Sequence, residues 1–337
     1  MPSISVIITA HNRKEFLAKA IRSVLDQTLD RSLFEITVIK NFADEEVDDL
    51  IRKNNIIEIF TAKEKLGEKL ILGIMESKGE IICFLEDDDI FFPDKLKKIQ
   101  EVFNDKSIGY FHNSYLLIDQ YGNELKGKLH VCSVRKRITI INRKLKMSDI
   151  RRAIRSNGFF NLSCISVRKD ILERKLEYLT GLQVAVDNFM FYLSLDSGFD
   201  VIIDNAVLTR YRIHNLNSSI SESLDPGDFI ERKKVFFESD RKGFETIGAV
   251  VKNTVVKKYV DCRIIVPVYA AGMLTRNNEV KGISKVTCLR CIIKTLSPEL
   301  IVLIVLNLIS RIFRNFGSRF YFYYERAKIR HALRSKQ

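Results

Sequence analysis

Apolar positions in the first hundred residues switch repeatedly between two periods, and the switches mark alternating strands and helices. Ser5 to Thr9 is a β-branched run of the kind that fills a buried strand, and Phe16, Leu17, Ala20, Ile21, Val24 and Leu25 then recur at helical spacing. Asn12 and Glu15 stand at the N-cap and N3 spacing of a capping box ahead of that helix. A second strand over 36–39, a short helix through Val47, Leu50 and Ile51, and a third strand over 56–60 follow. A helix from Leu70 to Met75, closed by Gly79, leads to a fourth strand over 81–85. A further helix begins at Pro93-Asp94, with Asp94 as its cap, and runs through Leu96, Ile99 and Val102. Such alternation predicts an α/β fold with a mostly parallel, doubly wound sheet, whose ligands bind beyond the carboxyl ends of the strands.

Beyond Ser107 the pattern changes. Tyr110 to Ile118, a turn at Tyr121-Gly122-Asn123 and a return segment read as a hairpin laid against the sheet. Residues 125–156 are basic and irregular and read as a mobile loop. A strand over 161–167, a helix within 181–197 and a last strand over 201–212 complete the first part. The Ser-rich stretch 218–227, with Pro226-Gly227, reads as a boundary between a domain of residues 1–220 and a mostly helical region of residues 226–337.

Charge sharpens that division. Pro226 to Gln337 holds 22 Lys and Arg against 9 Asp and Glu, whereas residues 1–225 hold 33 of each, so the whole net charge of +13 belongs to the C-terminal third. Six scattered cysteines fit reduced, packed thiols better than a disulfide framework, and the lone CxxC of Cys288 and Cys291 lacks the second pair a zinc site needs. The chain opens without a basic n-region or a small-residue cleavage site, which predicts that the first domain works in the cytosol.

The most informative residues are Glu86, Asp87, Asp88 and Asp89, directly after the apolar run Ile81-Ile82-Cys83-Phe84-Leu85. Four consecutive carboxylates at the end of a buried strand repel one another, and a divalent cation carrying a diphosphate offsets that repulsion. The competing reading is a solvated loop with capping duties.

Further motifs join this one in order. Ser5-Val6-Ile7-Ile8-Thr9-Ala10-His11-Asn12-Arg13, the helix Ala20 to Thr28 ending Ser-Val-Leu-Asp-Gln-Thr, and Gly79 to Asp89 with Pro93-Asp94-Lys95-Leu96 form one set. Val186-Asp187 with Phe191-Tyr192-Leu193, and Tyr211-Arg212-Ile213-His214, follow. Over residues 4 to about 220 the chain resembles the family 2 glycosyltransferases, nucleotide-sugar enzymes of the GT-A fold. The resemblance implies an inverting, metal-dependent transfer of a sugar from a nucleotide-diphosphate donor to a glycan or lipid-linked acceptor. Mg²⁺ or Mn²⁺ would be held by Asp88, with Glu86 near the ribose or the metal waters and His214 completing the shell. Thr9, Ala10, His11, Asn12, Arg13, Lys40, Asn41, Lys69, Glu86, Asp87 and Arg212 would contact the donor, with Arg212 offering a fork to phosphate. Asp187 would act as the general base, its competing role being a helix N-cap.

Departures bear on the donor. Lys40-Asn41-Phe42-Ala43 stands where the family usually has Asp-Asp-Gly-Ser, so a base-reading acceptor has become a donor and the nucleotide stays open. His11 replaces an aromatic residue, Leu70-Ile71-Leu72-Gly73 lacks the usual arginine, and Glu86 begins the metal motif in place of Asp.

The C-terminal third is read from its own residues. Leu300 to Ile309 is too short for a bilayer crossing, which takes roughly twenty apolar residues. From Arg311 onward Phe313, Phe316, Phe320 and Tyr321 to Tyr324 are interleaved with Arg314, Arg319, Arg326, Lys328, Arg330 and Arg334, a mixture suited to an anionic membrane surface. The competing reading packs Phe313, Phe316, Phe320 and Tyr324 on the first domain. Peripheral association with the cytoplasmic face of the membrane is therefore expected. Within the fold the alternative is a polyprenyl-phosphate sugar synthase. In another class it is a silent module gripping nucleic acid, for which no recognisable motif exists, so no nucleic-acid partner is expected.

Overall fold

The structure, a computed structural model, describes residues 3–125, 136–214, 225–274, 285–295, 301–306, 320–324 and 326. The strands and helices of the first part are β1 (Ile4–Thr9), α1 (Leu17–Leu25), β2 (Phe34–Lys40), α2 (Glu45–Lys53), β3 (Ile57–Phe60), α3 (Leu66–Glu76), β4 (Ile81–Glu86), β5 (Ile90–Phe91) and α4 (Lys95–Phe103). They continue as β6 (Ile108–Ile118), β7 (Ile138–Ile140), α5 (Met147–Arg155), β8 (Ile165–Arg168), α6 (Lys169–Glu173), α7 (Val186–Asp196) and β9 (Asp200–Arg212). Helices α8 (Pro226–Val250), α9 (Thr254–Arg263), α10 (Ile265–Leu274) and α11 (Lys285–Thr295) make up most of the described C-terminal region.

The described strands form one sheet in the order β3-β2-β1-β4-β8-β6-β9-β5, with β7 on β9. The first four strands pair in parallel, the doubly wound arrangement that alternation predicts. Thr9 lies opposite Ile39 and Glu86, so the carboxyl ends of β1, β2 and β4 finish level and open one cleft. Alternation along β1 sends Ile7 to one core and Val6 and Ile8 to the other, each core covered by helices. On α1 the stripe Leu17, Ala20, Ile21 and Val24 is fully buried, each of the larger side chains contributing about 1.5–3 kcal/mol.

Several expectations are corrected or bounded. The chain does turn back at 121–123, with Ile118 bridged to Glu124 in antiparallel and the Leu125 amide donating to the Leu117 carbonyl, and the rest of the return segment, 126–135, lies outside the described residues. The sheet partners of β6 are β8 and β9, on its two edges. Of the predicted mobile loop, residues 126–135 lie outside the described residues, while β7 and α5 occupy much of the remainder. Asn12 does not cap α1, whose N-cap position is Phe16; its φ of 54° places it in a left-handed turn where its amide pairs with Asn41. Asp94 does stand at the N-cap position of α4, but its side chain accepts from Thr28 Oγ1 and makes no capping bond; the amide of Leu96 is taken by Gln27 Oε1 from beyond the end of α1. Gly79 is needed for room and not for a left-handed cap: a Cβ there would lie 2.6 Å from the Ile4 carbonyl carbon.

The first part of the C-terminal region shares the main core. Phe244, Ile247 and Val250 of α8 and Val256, Tyr259 and Val260 of α9 are buried with Tyr192 of α7. A smaller core joins Phe229, Phe237, Cys262, Ile265 and Val266 to Leu303, Leu306, Tyr321 and Phe322. The proposed boundary at 218–227 falls mostly outside the described residues. Among the described residues no helix is long and apolar enough to cross a membrane.

Candidate functional site

The acidic run is held as a strap across the carboxyl end of β4. The Glu86 amide donates to Ser163 Oγ at 3.0 Å. Asp89, fully buried, accepts from Asn161 Nδ2 at 2.9 Å and from the Arg212 amide at 3.0 Å. On the far side α1 grips the segment after the strap: the Phe91 amide donates to Ser23 Oγ, and Gln27 Nε2 donates to the Phe92 carbonyl. Lys95, also fully buried, donates to the Ser163 carbonyl and to Thr209 Oγ1, and its ammonium lies 3.9 Å from the Phe91 ring centroid. The motif residues of α1 and α4 thus serve mainly to place the acids.

The four acids divide by partner. Asp89 faces the protein and supports the strap; burial, reinforced by the charge of Asp88, pushes its pKa up to about 7. Asp87 receives both Nε, at 3.0 Å, and Nη2 of Arg13, yet burial outweighs this pairing and raises its pKa to about 6. Asp88 Oδ2 lies 2.9 Å from Arg13 Nη2 and 2.9 Å from His214 Nε2. Among the described residues Glu86 has no ion-pair partner, and burial together with Asp88, Asp89 and Asp87 holds its pKa well above the carboxylate range. Phe16 backs this group, its ring 5.1 Å from that of His214 and 4.7 Å from the Arg212 guanidinium. Lys69 closes the floor. It donates to the Ala10 carbonyl at 3.2 Å, and burial lowers its pKa to about 8.

Asp187 occupies the first turn of α7, not the N-cap, which is Ala185 at φ 64°. Its carboxylate accepts from the amide and side chain of Asn188 and from the Asn161 amide, and burial lifts its pKa to about 6. Asn161, at φ 68°, therefore ties the proposed base to the acidic strap: its amide serves Asp187 and its side chain serves Asp89. Left-handed residues other than glycine are costly, and Asn12, Asn161 and Ala185 each adjoin this site.

Two donor-binding expectations are corrected. Lys40 is 1% exposed and forms ion pairs with Asp48 and Glu58, at 2.8 and 2.6 Å, so its charge is matched inside the β2, β3 and α2 corner. The Arg212 guanidinium is likewise buried, donating to the carbonyls of Asp88, Asp119 and Gln120; it fastens the strap and does not reach outward as a phosphate fork. Thr9, Ala10, His11, Asn12, Asn41, Lys69 and Glu86 do border the cleft, with Asn12 and Asn41 linked by reciprocal amide bonds of 2.9 and 2.6 Å. Sequence reasoning missed Asn161 and Ser163 as site residues and gave Lys95, quoted within the motif 93–96, no role of its own. The Asn-x-Ser spacing at 161–163 is a turn signature that marks the first two.

Among the described residues no three His, Cys, Asp or Glu side chains converge into a ready metal cage. Asp88 and His214 present one carboxylate oxygen and one imidazole nitrogen 2.9 Å apart, a partial donor set of the kind Mg²⁺ or Mn²⁺ completes with water and substrate phosphates.

Known proteins share the fold that carries these residues. Solved structures of similar fold include TarS of S. aureus, with a TM-score of 0.53 and 11% identity over 90% of this chain and 50% of that one. Another is the mannosyltransferase PcManGT of Pyrobaculum calidifontis, in complex with GDP-Man and Mn²⁺, with a TM-score of 0.53 and 11% identity over 98% of this chain and 87% of that one. These likenesses establish the GT-A arrangement. Among curated relatives, a glycosyltransferase of Rickettsia bellii is 35% identical over 127 residues, 36% of this chain and 18% of its own length. The poly(ribitol-phosphate) β-N-acetylglucosaminyltransferase TarP of Staphylococcus aureus is 28% identical over 195 residues, 56% of this chain and 55% of its own length. The matches span 18%, 36% and 21% of the first three relatives. Residues 5–175, about half the chain and the stretch carrying the acidic strap, match the Glycosyl transferase family 2 description, and the chain belongs to that family.

Proposed function

We propose that the protein is an inverting, cation-dependent glycosyltransferase that moves a sugar from a nucleotide-diphosphate donor to a glycan or lipid-linked acceptor at the cytoplasmic membrane face. The observation that carries this reading is the meeting of Asp88 with His214 on a strap that Asn161 couples to Asp187.

Asp88 and His214 would hold Mg²⁺ or Mn²⁺. When bound, the ion supplies positive charge to the diphosphate as the glycosidic bond breaks. Lys69, held between Ala10 and the charge of Asp87, adds a second positive group beneath the donor. His11 and the linked pair Asn12 and Asn41 offer a platform and amide groups to the nucleoside. Asp187 accepts the proton of the acceptor hydroxyl. A pKa near 6 leaves it largely ionised at neutral pH, yet more basic than an ordinary aspartate. Donors named in solved neighbours, UDP-GlcNAc with TarS and GDP-Man with PcManGT, support a nucleotide sugar without choosing the base.

A groove of about 820 Å³ runs between the loop entering α7 and helix α8, lined by Lys65, Gln183, Lys234, Arg241 and Lys242 among others. Glu238 also lines it and pairs with Arg241, and Lys234 pairs with Glu231, so the walls carry a net positive charge that is partly matched; this would suit an acceptor bearing phosphate, in keeping with the poly(ribitol-phosphate) in the name of TarP. The test is a panel of nucleotide sugars incubated with the full chain. One donor is expected to be hydrolysed slowly with Mn²⁺ or Mg²⁺ and not with chelator, whereas no cation-dependent turnover of any donor would contradict the assignment.

Support for the membrane face comes from α11. Val286, Leu289 and Ile293 are 58%, 58% and 60% exposed at helical spacing, beside exposed Arg290, and Ile301 and Val305 are also half exposed. The tail aromatics divide differently from expectation: Tyr321 and Phe322 pack on Phe229, while Phe320 and Tyr323 face outward. Phe313 and Phe316 lie outside the described residues. Removing the residues after 295, or changing both Leu289 and Ile293 to Glu, should reduce flotation with anionic vesicles at least tenfold. Unchanged flotation of both variants would refute the membrane role.

A further inference from the structure

Arg13 sits where the proposed cation would sit. Its Nη2 approaches Asp88 Oδ2 at 2.9 Å, and its Nη1 lies 3.3 Å from His214 Nε2, so the two ligand atoms proposed for the ion are both contacted by one guanidinium. The same side chain holds Asp87 through Nε and Nη2. Asp87 and Asp88 are 3% and 6% exposed, and two neighbouring carboxylates so deeply placed need a counter-charge at all times. Arg13, itself 21% exposed in its side chain, borders solvent on the cleft side.

We infer that Arg13 is an internal stand-in for the cation: it neutralises Asp88 and fills the space beside His214 while no metal is bound there, then yields that place and pairs with the diphosphate of the incoming donor. The exchange follows from electrostatics. A divalent ion held by Asp88 and His214 would need the space the guanidinium fills, and like charges in a buried site repel strongly. Release need not be complete. Asp87 accepts two of the arginine nitrogens, so that pair can act as a pivot while the Asp88 contact opens. The freed nitrogens then face the cleft, where a phosphate is the partner a planar fork matches best.

Two consequences distinguish this role from simple donor binding. Cation affinity without donor is weakened by Arg13, because the ion must displace it. Cation and diphosphate bind cooperatively, because each completes the exchange that the other begins.

The inference rests on the proposed cation seat, and the experiment separates the two. Mn²⁺ binding to the full-length wild type, Arg13→Gln and Arg13→Lys is measured by the free-ion electron paramagnetic resonance signal, first with Mn²⁺ alone and then with inorganic pyrophosphate. Arg13→Gln should bind Mn²⁺ alone at least about tenfold more tightly than wild type. Its gain in Mn²⁺ affinity on adding pyrophosphate should be smaller than that of wild type. Arg13→Lys, which keeps the charge and loses the fork, should fall between. Equal or weaker Mn²⁺ binding by a folded Arg13→Gln overturns the stand-in role while leaving the cation seat in place. If Arg13→Gln unfolds, Arg13→Lys carries the comparison, and binding no tighter than wild type overturns the role equally. Absence of Mn²⁺ binding in every protein, with and without pyrophosphate, overturns both the stand-in and the seat.

Discussion

Asp187→Asn is expected to lower transfer to a hydroxyl acceptor by about 10²- to 10⁴-fold, the range for loss of a positioned general base. The substitution keeps the shape of the side chain and its acceptor oxygen for Asn188, so the first turn of α7 should persist. Burial has already raised the Asp187 pKa to about 6, so the carboxylate, though mostly ionised at neutral pH, is harder to ionise in the fold than in water. Removing that charge should therefore leave stability at neutral pH equal or higher, and a lower melting temperature would assign Asp187 a structural part instead. The pH profile carries the same sign. Wild-type activity should fall about tenfold per pH unit below 6, as the base becomes protonated, and level off above it. An ionised lipid phosphate needs no base, so full activity in Asp187→Asn would move the assignment to a polyprenyl-phosphate sugar synthase.

Asp88→Asn should reduce activity at least about a hundredfold through a different step. The asparagine keeps the size of the side chain but removes the charge that faces both Arg13 and His214, and a neutral amide is a poor ligand for Mg²⁺ or Mn²⁺. Loss of several kcal/mol of charge stabilisation at the leaving diphosphate corresponds to two or more decades in rate. Excess Mn²⁺ should rescue Asp88→Asn in part, because His214 and the donor phosphates remain. It should not rescue Asp187→Asn. Rescue of the base variant by metal would show that the two carboxylates act on one step.

The half of the fold that builds the cleft was legible because its strands are buried on both faces and its helices on one stripe, so composition and period report burial directly. Val6 and Ile8 against Ile7, or Leu17 with Ile21 and Val24, are patterns of that kind. Strand direction leaves no such trace, which is why the antiparallel insertion of β8 between β4 and β6 was not foreseen. Polar residues are harder still, since a side chain's partner is decided by which elements meet. Lys40 looks like a nucleotide contact until Asp48 and Glu58 approach it, and Arg212 like a phosphate fork until the carbonyls of Asp88, Asp119 and Gln120 close around it. The acids at 86–89 were visible as a cluster, but not their division into Asp89, turned inward to Asn161, and Asp88, turned to His214.

The central claim is that the end of β4 seats a cation against a diphosphate, and calorimetric titration of a nucleoside diphosphate into wild type and Asp88→Asn, each with and without Mn²⁺, tests it most directly. Mn²⁺ should raise wild-type affinity at least about tenfold and change the affinity of Asp88→Asn little. Equal wild-type affinity with and without Mn²⁺, or an undiminished Mn²⁺ effect in the variant, would contradict the account.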